Sequence, residues 1–180
     1  MSVSDCASLA GNATKITARG FGWTHAGRSE AALSDIDVVI EPGERVLLCG
    51  DSGSGKSTLL AAMAGVLGSD EEGTRTGELL LEDSSGLVEE PGHTIPVGLV
   101  LQDPDSQVIS ARVGDDIAFG CENLAYPREE IWRRVTAAKE LVGPFVDLDF
   151  PTERLSGGQK QRLALALSLI HISEPTRRTP

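Results

Sequence analysis

The residues most able to do chemistry lie in Gly50-Asp51-Ser52-Gly53-Ser54-Gly55-Lys56-Ser57, which satisfies G-x-x-x-x-G-K-[ST] at every position. The glycines let the backbone curl so that successive N–H groups point inward as a nest, which is what a dense anion needs. A helix beginning at Lys56 would turn its free N–H groups and the positive end of its dipole on the same anion. Lys56 then places an ammonium between the β- and γ-phosphates of a triphosphate, and the Ser57 hydroxyl is a hard oxygen suited to Mg²⁺. With Thr58, residues 50 to 58 make a candidate nucleotide-binding loop. A chance Gly/Ser turn can spell the same pattern. Context separates the two, because a phosphate loop must follow a buried strand and open an apolar helix.

That context is present. Arg45-Val46-Leu47-Leu48-Cys49 reads as a buried strand, continuously apolar as parallel strands tend to be, and Lys56 to about Leu67 reads as the helix. Ile16 to Trp23 and Asp37 to Ile40 predict strands before the loop, with Glu41-Pro42-Gly43-Glu44 as a turn. Glu78 to Leu81 and Val97 to Leu101 predict strands after it, separated by a polar, acidic connection over 82–96. Val113 to Leu124 and Glu129 to Val142 predict helices; Ile131, Val135, Ala138 and Leu141 share one face of the second. Strand, loop, helix and later strands imply an α/β domain with an inserted helical portion.

A phosphate loop alone does not choose among NTPases. Leu155-Ser156-Gly157-Gly158-Gln159, continued by Lys160-Gln161-Arg162, resembles the signature segment of ATP-binding-cassette (ABC) ATPases. On the residues alone, Ser156 suits a helix N-cap, leaving Gly157 and Gly158 to offer N–H groups to an anion. The resemblance implies that this anion is the γ-phosphate of ATP held by a second subunit, so that ATP joins two chains head to tail as a homo- or heterodimer. It covers about residues 14 to 166 and implies a P-loop NTPase core of ABC type. The helical subdomain would lie at about 103–160, the C-terminal part of the core would be missing, and ATP and Mg²⁺ would be cofactors. Phe21-Gly22-Trp23 resembles the family's aromatic loop, which makes Trp23 the ring stacked on adenine; a core tryptophan at a strand end is the alternative. Gln102 looks like the family's Q-loop glutamine, which touches Mg²⁺ and the attacking water. Gln102-Asp103-Pro104-Asp105-Ser106-Gln107 and Ala118-Phe119-Gly120-Cys121-Glu122-Asn123 together resemble energy-coupling-factor (ECF) importers, which carry vitamins or cobalt and nickel ions. The implied partner is a transmembrane subunit, and the implied location is peripheral, on the cytoplasmic side of the membrane.

The resemblance stops after the signature. The family has a hydrophobic strand ending in Asp-Glu, and no such catalytic pair stands here in usable form. Ile172-Ser173-Glu174-Pro175-Thr176 echoes it with Ser173 in place of the aspartate and too early in the chain. Leu167 to Arg177 is instead similar to a translated transposon-end adapter used to build sequencing libraries, so residues 167–180 are set apart as non-native. Glu174 and His171 therefore receive neither the catalytic-glutamate nor the switch-histidine role, and the chain as it stands is expected to lack ATPase turnover.

Composition bounds the remaining classes. With 180 residues the chain suits one domain, and a net charge of −11 argues against a nucleic-acid binder. No apolar run approaches the ~18 residues that span a bilayer, and Met1-Ser2-Val3-Ser4-Asp5 shows no signal peptide. Cys6, Cys49 and Cys121 are spaced as reduced structural thiols, and His25, His93 and His171 have no metal-ligand spacing. Residues 1–13 are small and polar and are expected to be disordered. A soluble ABC ATPase acting outside transport and a non-catalytic nucleotide-binding module are the alternative readings. A coiled-coil insertion or tandem cassettes, which would mark the soluble ATPase, are absent from these residues.

Overall fold

The computed structural model describes residues 14–67, 72–123 and 125–172. The expected disorder of residues 1–13, the position of Cys6 and the tail 173–180 lie outside them. The chain divides into two compact units, one running to Val97 and one beginning at Gly98, a boundary five residues before the expected start of the helical part.

The first unit is built on an antiparallel sheet. Strands β1 (Lys15–His25), β2 (Leu33–Ile40), β3 (Gly73–Glu82) and the short β4 (Val88–Glu89) lie in the order β2-β1-β3-β4. β1 pairs with β2 from Ile16↔Ile40 to Trp23↔Leu33 and with β3 from Lys15↔Glu82 to His25↔Gly73, with register shifts in its middle. Helix α1 (Lys56–Met63) turns Leu59, Ala62 and Met63 onto Ala18, Phe21, Trp23, Leu33 and Leu79 of the sheet.

α1 is shorter than the expected span to Leu67. Gly65, at φ +70°, donates to Ala62 O at 3.0 Å, and Val66 N–H reaches Ala61 O at 2.9 Å. These are the two bonds of a Schellman motif, which closes a helix through a left-handed residue. A side chain at 65 would also press on the backbone of Gly92, whose N lies 2.2 Å from an ideal Cβ there.

Two expected strands are not formed. Residues 45–49 and 97–101 carry no strand assignment, and Leu47 is 86% exposed. Apolar composition gives a segment reason to be buried, but a strand exists only where a neighbour completes its ladder of hydrogen bonds. Among the described residues neither segment has such a neighbour.

The second unit is helical. Helices α2 (Val113–Asn123), α3 (Arg128–Val142) and α4 (Gly157–Ile172) meet through Val113, Ile117 and Cys121, through Val135, Ala138 and Val142, and through Leu163, Ala166 and Ile170. Each set recurs at three- and four-residue spacing, the period of one buried helix face. Burial pushes the Cys121 thiol up, consistent with an inert structural cysteine, whereas Cys49 is exposed. Residues 167–172, expected to stand apart from the fold, continue α4. Ile170 is buried, and its carbonyl accepts from the buried Arg134 at 2.8 Å. An apolar run that keeps the helical register is held by packing whatever its origin.

Glu130 organises the surface of α3. It accepts from Arg133 and Arg134, both at 2.6 Å, and these two guanidiniums bring its carboxyl down to about 2. A depressed carboxylate contributes stability above its unfolded value near 4.5, and that stability is lost as pH falls toward 2. Wild-type chain should therefore be more stable than Glu130→Gln at neutral pH. In thermal melts, the gap should close as the pH falls from about 4.5 to 2; a pH-independent gap would contradict this.

Candidate functional site

The candidate phosphate loop lies in the first unit between residue 49 and α1; of its expected context, the helix that it opens is formed and the buried strand before it is not. Gly53 and Gly55 stand at φ +83° and +86°, the left-handed turns that a nest of N–H groups requires. The loop is closed by Ser54 N–H on Asp51 O at 3.2 Å and continues into α1 with Leu59 N–H on Gly55 O at 2.9 Å. Gly55 passes directly beside the β1–β2 connection, since an ideal Cβ there would lie 2.5 Å from Ala32 O and 2.8 Å from Leu33 Cδ2. Ala32 is itself fixed by its N–H on Trp23 O at 2.8 Å.

The Lys56 ammonium bends back over the loop, donating to Gly50 O at 2.9 Å, Asp51 O at 2.6 Å and Ser54 Oγ at 3.4 Å. An ammonium held over the loop backbone is placed to meet a phosphate oxygen. Ser57 is exposed and Thr58 half-buried at the first turn of α1. Amides, one ammonium and hard hydroxyl oxygens are the donor set that suits MgATP, so the residues present fit it.

The candidate signature segment lies in the second unit. Leu155 is buried in the helical core, and Ser156 immediately precedes α4. Gln159 Oε1 accepts from Ser156 N–H at 2.8 Å, and Gln159 and Lys160 N–H both reach Ser156 O at 2.9 Å. This is the return half of a capping box, so Gln159 fixes the start of the helix. Gly157 and Gly158 are exposed with nothing within 4 Å of an ideal Cβ, which leaves their backbone open to a large anion. Gln102 is exposed in a bend before the 3-10 turn Pro104–Gln107.

Trp23 departs from expectation. It is 5% exposed, packed in the sheet cluster against the Gly73 backbone, and its Nε1–H donates to His25 Nδ1 at 3.2 Å. The ring expected to stack on adenine is a core ring, because the register shifts in β1 bring Phe21 and Trp23 onto the buried face. Trp23→Phe should therefore lower stability by roughly 1 kcal/mol, from lost volume and one lost hydrogen bond. The ratio of ATP to tripolyphosphate affinity should stay unchanged. A fall in that ratio, measured by titration calorimetry, would restore the stacking role.

One organising residue was not anticipated. Buried Asp116 accepts from the N–H groups of Ile109 and Ser110 at 2.9 and 2.7 Å, holding the chain that leads from the Gln102 turn into α2. Its only signal in the sequence is an Asp-Asp pair in the first turn of a helix.

Comparison with known proteins agrees with this geometry. Residues 33–174 match the ABC transporter family. A Methanosarcina mazei protein is 41% identical over 165 residues, spanning 89% of this chain and 28% of its own length. The energy-coupling factor transporter ATP-binding protein EcfA1 of Lacticaseibacillus paracasei is 38% identical over 161 residues, spanning 84% of this chain and 53% of its own length. The solved structure of cbiO1 from Clostridium perfringens, part of the ABC transporter complex cbiONQ, covers 86% of this chain and 61% of its own at 30% identity and a TM-score of 0.63. The chain thus spans from about a quarter to about half the length of the curated relatives it matches. With a family match over residues 33–174, most of its length, the chain belongs to the ABC transporter family.

Proposed function

We propose that this chain is the nucleotide-binding part of an ATP-hydrolysing subunit of an ECF-type importer, moving a vitamin or a cobalt or nickel ion. The observation that carries the reading is Lys56 drawn back over the glycine-rich loop onto the Gly50 and Asp51 carbonyls. Its similarity to EcfA1 and to cbiO1 supports the importer class. Lys56 and the amides of residues 50–58 bind and orient the phosphates. Ser57 would supply a hydroxyl to Mg²⁺, which when bound neutralises phosphate charge, and Gln102 is read as the Q-loop glutamine that responds to nucleotide. Ser156, Gly157 and Gly158 face the nucleotide of a second subunit, and a transmembrane partner receives the motion. The chain would then work at the cytoplasmic face of the membrane; no described helix is long and apolar enough to cross it.

Hydrolysis needs an oriented water and a carboxylate to position it. No described strand ends in an Asp-Glu pair. The 180-residue chain should therefore release phosphate from MgATP no faster than its Lys56→Ala variant. Robust Lys56-dependent turnover would show that a carboxylate of this chain, Glu174 included, activates water.

A further inference from the structure

Residues 99–101 lack a strand neighbour, yet they are not without ladder bonds. Leu101 N–H donates to Gln107 Oε1 at 3.1 Å, and Gln107 Nε2 donates to Leu99 O at 3.2 Å. A carbonyl at one residue and an N–H two residues on are the pair that one residue of a parallel neighbour would satisfy. The Gln107 carboxamide takes that place. Between the two ends the chain closes on itself, with Asp105 N–H on Asp103 Oδ1 at 3.1 Å and Ser106 Oγ donating to Asp103 O at 2.7 Å. The turn is then tied to the first turn of α4, where Lys160 Nζ donates to Asp105 Oδ1 one residue past the capping glutamine.

We infer that Gln107 and the Asp105–Lys160 pair are positioning residues for Gln102: they fix the Gln102 turn at one end to its own incoming chain and at the other to the signature helix. The inference rests on reading Gln102 as a nucleotide-responsive residue. The ion pair is partly exposed, with Asp105 the more open partner, so it contributes little to overall stability; its consequence is geometric. Movement of the signature helix carries the Gln102 turn with it, and movement of the turn reaches the helix.

Amide hydrogen exchange on the full 180-residue chain tests this, with Gln107→Leu, Lys160→Met and the reversed pair Asp105→Lys/Lys160→Asp. Gln107→Leu and Lys160→Met should each speed exchange at Leu101 by about tenfold, the effect of loosening one hydrogen-bonded turn. The reversed pair should restore it, while exchange in α2 and α3 stays as in wild type. Unchanged Leu101 exchange in Lys160→Met, or no recovery in the reversed pair, overturns the tie. In a second arm, MgATP should slow exchange over residues 50–58 and 101–103 of the wild type, and only over 50–58 in Gln107→Leu. Retained protection of 101–103 in that variant overturns the positioning role. If MgATP protects neither region, the nucleotide reading of the chain falls, and the first arm still decides the tie.

Discussion

Lys56→Ala lowers the affinity for MgATP by about 10- to 150-fold, the equivalent of the 1.5–3 kcal/mol that a charge-assisted contact contributes. On the proposed reading the ammonium meets the most charged part of the ligand, and no other described side chain bonds the same three loop oxygens. Stability should change little, because Lys56 touches only the exposed surface of the loop and buries nothing in the sheet cluster. Titration calorimetry and a thermal melt on the same sample separate the two quantities. Undiminished MgATP affinity would remove the phosphate-loop assignment.

Gly55→Ala takes away binding and stability together. At φ +86° an alanine carries the left-handed penalty of about 1–2 kcal/mol, and its Cβ would lie 2.5 Å from Ala32 O. That oxygen is backbone, anchored through Ala32 N–H on Trp23, so relief requires the loop or the β1–β2 connection to move. Forced repacking adds about 1–3 kcal/mol, for a total of roughly 2–5 kcal/mol and a fall in the melting temperature of about 4–20 °C. Gly53→Ala is the control: its φ is +83°, but an added Cβ there meets nothing within 4 Å. It should cost the left-handed penalty alone. Equal losses at the two positions would show that the contact with Ala32 does not matter.

What the sequence reveals about this molecule is what is local. The left-handed turns at Gly53 and Gly55 and the Lys56 contacts are legible because they act within one loop, and Ser156 with Gln159 specify a helix start because a capping box spans three residues. α2 and α3 are legible from their apolar spacing. The segments 45–49 and 97–101 mislead because apolarity reports a tendency to be buried, not the presence of a ladder partner. Trp23 misleads because register shifts on either side of Phe21 decide which face the ring takes, and no residue type announces them. Gly65 ends α1 two residues before its apolar run gives out, through backbone bonds that composition does not encode. Gln107 and Lys160 gain their meaning only from partners brought near by folding: Lys160 from Asp105, 55 residues away.

The central claim is that the backbone amides of residues 50–58 bind the phosphates, with Lys56 over them. The most direct test is amide-resolved NMR on the chain during titration with MgATP and with magnesium tripolyphosphate. Both ligands should shift the amides of residues 50–58, and both sets of shifts should be lost in Lys56→Ala while the remaining spectrum stays folded. Saturating MgATP that leaves those amides unmoved, or that shifts them equally in Lys56→Ala, would contradict the account.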